Sequence, residues 1–221
     1  MNSNRYQGIL TKTVLVLSLL LPAGFNVYAA AGYKLADKVG KGIAEFRDEI
    51  IKAKEAVNAT MASLDKVVAE AATDPRKPFK QFEKNVPRIE SAAAKAKKRA
   101  DEMRERGQQY FKTWEEELAS VHSAEIKKLA EERKAKLQTT FGSIKAKLDP
   151  AREQFTTWLA HLKDVQTYLR QDLTIVGIDM AKDLIATSKK DGAALQQSLD
   201  GVIAELNTIL AAITPAKVEK K

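Results

Sequence analysis

Two histidines, two tryptophans and one dense run of cations are the side chains in this sequence whose types could do chemistry. A carboxylate-bridged metal pair inside a helical bundle takes a glutamate three residues before a histidine on each of two helices. His122 follows Ala119 at that spacing and His161 follows Trp158, so neither builds the motif and both read as structural. Cysteine is absent, which excludes thiolate zinc sites and disulfides. There is no glycine-rich phosphate loop and no serine elbow. No catalytic, cofactor-binding or metal-ligating residue is therefore assigned. Trp114 and Trp158 could stack a ligand, but both fall on the apolar stripe of a helix, where large rings fill the core. The cations are Lys95, Lys97, Lys98 and Arg99, followed by Arg104 and Arg106, and they form a candidate anionic-surface patch. Asp101, Glu102 and Glu105 dilute them to a net three charges. At about 1 kcal/mol per cation near an anionic surface, the patch supplies roughly 3 kcal/mol, which is only millimolar-range affinity.

The elements that position these groups are long helices. Alanine, lysine, glutamate and leucine dominate, while the 221 residues include only 10 glycines and 6 prolines. From Ile178 to Ile213 the seam positions recur in alternating steps of three and four, and only Ser188 and Gly192 among them are not apolar. That repeat makes helices wrap around one another, and such a helix needs partners of similar length. Three upstream seams supply them. One helix is expected from Tyr33 to about Ala72, where Thr73-Asp74-Pro75 and Pro78 stop it. A second is established by Pro87 and reaches Val121, with a short turn from Pro78 to Lys84 leading in. Small residues fill one half of its seam and aromatics the other, which predicts a narrow assembly at Ala93 to Ala100 and a wider one at Trp114. A third starts at Ser123, an N-cap with Glu125 in the first turn, and ends near Leu169. Pro150 interrupts it, yet the seam keeps phase from Ile144 through Leu148 and Ala151 to Phe155. One helix kinked at Pro150 is expected, with two helices joined by a turn as the competing reading. Ile175-Val176-Gly177 leads into the last helix. At about 1.5 Å per residue these helices run roughly 57 to 72 Å. The expected fold is all-α, an elongated antiparallel up-down-up-down four-helix bundle with coiled-coil-like packing.

Ahead of the helices, residues 1–31 read as an export signal. Arg5 and Lys12 form a basic leader, Val14 to Leu21 is a short apolar run, Pro22 and Gly24 break it, and small residues follow. The run falls short of the about 20 residues needed to span a bilayer, so no transmembrane helix is expected in the mature chain. Removing Arg5 and Lys12 takes the net charge from +8 to +6. Residues 32–214 form the helical domain, and 215–221 read as a charged, disordered tail.

The segment from Trp114-Glu115-Glu116-Glu117-Leu118 through Leu148-Asp149-Pro150, with Trp158-Leu159-Ala160-His161-Leu162-Lys163 and Leu169 to Leu173, resembles a bacterial family of exported helical proteins, the domain of unknown function 2959. The resemblance spans nearly the whole mature chain. It implies the helical fold and export, and implies no activity. Where the family pattern has leucine-lysine-histidine-asparagine, this chain has Leu162-Lys163-Asp164-Val165, so no histidine site carries over.

Together these features point to a non-enzymatic exported protein, periplasmic or secreted, acting as a spacer or adaptor for an envelope protein partner. Weak contact with anionic lipid or polymer is expected, and nucleic-acid binding is not. The alternative is a lipid- or amphiphile-binding bundle whose helices part to take acyl chains along their seams. Export predicts a mature protein beginning at Ala30 or Gly32, checked by N-terminal sequencing of exported material; a sequence beginning at Met1 would mean a retained anchor instead.

Overall fold

The computed structural model describes residues 25–213, with side chains from residue 34. The apolar run of the expected leader and the expected tail lie outside the described residues. The fold is all-α, with no strand among the described residues. Four long helices, α1 (Phe25–Ala69), α2 (Arg76–Ala119), α3 (Ala124–Gln171) and α5 (Lys182–Ile213), are accompanied by the short α4 (Ile175–Met180).

The heptad seams become the core. Every seam residue of the last stretch from Ile178 to Ile209 is buried, including Ser188 and Gly192. Gly192 is needed because Trp158 of α3 lies over it: a Cβ there would stand 2.9 Å from the indole Nε1 and 3.0 Å from Met61 Sδ. Trp158 is fully buried, and its Nε1 and the Ser188 hydroxyl have no hydrogen-bond partner among the described residues. Leaving such groups unpaired costs about 1 to 3 kcal/mol each, so burial of the large ring must outweigh that loss.

Polar pairs across the helix boundaries give the directions. Lys54 meets Asp200 at 2.5 Å and Arg47 meets Asn207 at 3.2 Å, so α1 and α5 run antiparallel. Asn85 donates to Ala59 O at 3.1 Å while Arg99 reaches Glu45 at 3.3 Å, and α1 and α2 are antiparallel too. His161 Nδ1 lies 2.7 Å from Asp191 and Arg133 donates to Ala212 O at 2.7 Å, which sets α3 against α5 the same way. α1 is closely packed on α2 and on α5, as α3 is on α5, whereas α2 and α3 meet sparsely.

Three boundaries differ from the sequence expectation. α1 is helical from Phe25, so the last residues of the segment expected as leader are helix. α2 starts at Arg76, eleven residues before Pro87. Pro78 falls in its first turn, where backbone amides have no partner to lose, and Pro87 sits exposed on its outer face. The final stretch divides at Ala181, which caps α4 before α5 begins. Thr174 caps α4 by accepting from Gly177 N at 3.1 Å. A Cβ on Gly177 would strike Asp172, whose carboxylate takes the Thr174 amide and hydroxyl. α3 runs unbroken through Pro150, and Ser123 caps it as expected, accepting from Ile126 N.

Two stability predictions follow from these environments. Pro150 is exposed inside a continuous helix, so Pro150→Ala restores a bond to Ala146 O and should raise stability by up to about 3 kcal/mol in a denaturant melt. A melt lowered by several degrees would contradict a continuous α3. Glycine-to-alanine changes on α5 should split in sign. Gly201 has open space around its Cβ position, so Gly201→Ala should gain up to about 1 kcal/mol, while Gly192→Ala should lose about 1 to 3 kcal/mol by displacing Trp158, less that propensity gain.

Candidate functional site: an apolar groove between α2 and α3

On a helix each residue advances the side chain by about 100°. Ala96, Ala100, Met103 and Gly107 therefore share one face of α2, with Lys97 and Arg104 on one flank and Arg99 and Arg106 on the other. The second flank meets α1, where Arg99 and Arg106 both reach Glu45, at 3.3 and 3.4 Å. The first flank faces α3, and there the helices part.

Ion pairs hold α2 to α3 on either side of the opening. Arg170 meets Glu83 at 2.5 Å and Lys163 meets Glu90 at 2.6 Å toward one end; Lys134 pairs with Glu115 toward the other. Between them lies an open cleft of ≈ 740 Å³. Its α2 wall is Ala93, Ala96, Ala100 and Gly107, its α3 wall Gly142, Leu148, Ala151 and Phe155, and α1 and α5 supply the floor with Phe46, Ile50 and Leu195. The expected narrowing at Ala93 to Ala100 is thus corrected. Small residues bring α2 close to α1, but toward α3 the rings of Phe141 and Phe155 line the gap without closing it.

An aromatic cluster closes the far end. Phe111 and Phe141 meet edge-on across the helices at 5.5 Å, and Tyr110 stands edge-on to Trp114 at 5.6 Å. Trp158 fills the core as expected, whereas Trp114 is only half-buried. Burial pushes the Tyr110 phenol above its usual range, with Glu117 adding to the shift and Arg133 opposing it.

The cationic patch does not form one face. Arg104 is paired with Asp101 at 2.8 Å, and Arg99 with Glu102 at 2.7 Å. Arg99 holds the Glu102 carboxyl below the usual carboxylate range, mainly through that hydrogen bond. Lys98 approaches Glu102 at 3.9 Å and Arg106 reaches Glu45. Lys95 and Lys97 alone in the set make no ion pair among the described residues, and Lys97 lies on the groove rim. His122 is exposed between α2 and α3, and no cluster of three metal-ligating side chains exists among the described residues. No described helix is long and apolar enough to cross a membrane. The groove was not read from the sequence, although the signal was present: small residues on α2 and Gly142 and Ala151 on α3 fall at facing levels.

Comparison with curated proteins and with solved structures returns no match. Residues 25–213 match the family model described as a protein of unknown function (DUF2959), and the chain belongs to that family.

Proposed function

We propose that this chain is a non-enzymatic, exported carrier of an amphiphile, built as an antiparallel up-down-up-down four-helix bundle with coiled-coil-like packing. The observation that carries the reading is the open apolar groove between α2 and α3. Its volume lies within the roughly 300 to 1,000 Å³ of small-molecule sites, and its walls are apolar with charges confined to the rim. A surface of this kind left to water is costly, at about 25 cal/mol per Å² of apolar area. A purely structural spacer gains nothing from it. The spacer or adaptor reading rests on the helix lengths alone, up to 48 residues or about 72 Å.

The groove also explains how an amphiphile could enter without unfolding the protein. Surface ion pairs are worth only about 0 to 1 kcal/mol each, so the ties bracketing the opening yield far more easily than the core beneath.

Binding is checked with the uncharged apolar dye Nile red and the full chain. Dye fluorescence should rise on binding, and Ala100→Phe, which fills the groove, should abolish the rise while circular dichroism shows the helices retained. Ala93→Phe serves as the second block should the first variant misfold. Dye binding that both blocks leave unchanged would sink the amphiphile reading and leave the spacer.

A further inference from the structure

The four cations on the groove rim are not equivalent. Arg104 is neutralised by Asp101 at 2.8 Å and Lys145 by Asp149 at 2.7 Å. Lys97 of α2 and Arg152 of α3 also line the opening, and neither side chain makes an ion pair or hydrogen bond among the described residues. Both are exposed. Both lie 18 residues from the tie between Glu115 and Lys134, while the tie between Glu90 and Lys163 lies 7 residues from Lys97 and 11 from Arg152, so in antiparallel helices they stand within about one turn of each other, on opposite lips. That level is near the Ala93 and Phe155 end of the groove, away from the Phe111 and Phe141 cluster.

Resting on the amphiphile reading above, we infer that Lys97 and Arg152 form a headgroup clamp for a single-chain carboxylate, whose acyl chain lies in the groove toward Phe111 and Phe141. A carboxylate offers two oxygens, one for each lip, and an arginine can donate two parallel N–H bonds to it. From Lys97 to Phe111 the groove runs about 21 Å at 1.5 Å per residue. One acyl chain spans about half of the roughly 30 Å hydrocarbon core of a bilayer, so the chain fits with its headgroup at the lip.

Calorimetric titration of the full chain compares palmitate with its uncharged glycerol monoester. The wild-type protein should bind palmitate about tenfold or more tightly than the ester. The double variant Lys97→Gln with Arg152→Gln should erase that difference by weakening palmitate alone, and both side chains are exposed, so the fold should tolerate it. Lys95→Gln removes an unpaired cation outside the groove and should change neither affinity. Equal binding of both ligands by the wild type, or an equal loss of palmitate affinity in Lys95→Gln, overturns the clamp while leaving the groove a binding site. Binding of neither ligand overturns the amphiphile reading, and the clamp with it.

Discussion

Filling volume is the constraint on which this structure depends. At each level of the seam, the side chains that converge from neighbouring helices must close the space between them, because an interior packed to crystal-like density tolerates few voids. At the level of Trp158 the solution is a large ring over a glycine, with Met61 completing the layer from α1. One end of the helix set is therefore dry and tight, and Phe82, Leu162 and Leu169 are all fully buried there. Further along, α2 and α3 both present small residues and the same rule is broken. The rings of Phe141 and Phe155 line the gap without filling it, and it opens to the surface instead of closing as a void.

Electrostatics works around that gap without causing it. Pairs between α2 and α3 are found at Glu83, Glu90 and Glu115, and their acids all come from α2. The basic stretch from Lys95 to Arg106 interrupts that acidic series at the level where the helices part. Arg99 and Arg106 are turned away toward Glu45 of α1, and Lys98 and Arg104 pair with carboxylates of α2 itself, which draws α2 to α1 and leaves the α3 side thinly populated. The carrier function proposed for the groove thus rests on two independent features of one helix: small residues on its face, and cations split between its flanks.

Much of the fold was legible because a heptad seam is a direct record of burial. Ile178 to Ile209, Val39 to Val67 and the run from Trp158 to Leu169 needed no tertiary information, since each buried position repeats at the helical period. Proline was the less reliable sign. Pro78 and Pro87 argued for a late start to α2, yet a first-turn proline and an exposed one cost little, and only the assembled helix shows which face each occupies. The groove escaped the reading for a different reason. A seam shows which residues point inward but not which neighbour they meet, and the small residues of α2 bring it close to α1 and not to α3. The cations divide for the same reason, because proximity in sequence hides a helical rotation that sends Lys97 and Arg99 to opposite flanks.

The uneven packing of the helix pairs also has a mechanical side. With α1 and α5 closely packed and α2 and α3 sparsely joined, the molecule resembles a book whose spine is hydrophobic and whose fore-edge is fastened by salt links. Ionic strength weakens the fastening and leaves the spine untouched, because screening acts on exposed charges and not on buried apolar contacts. Salinity therefore bears on the two ends of the opening, where the exposed pairs sit, and not on the apolar contacts behind it.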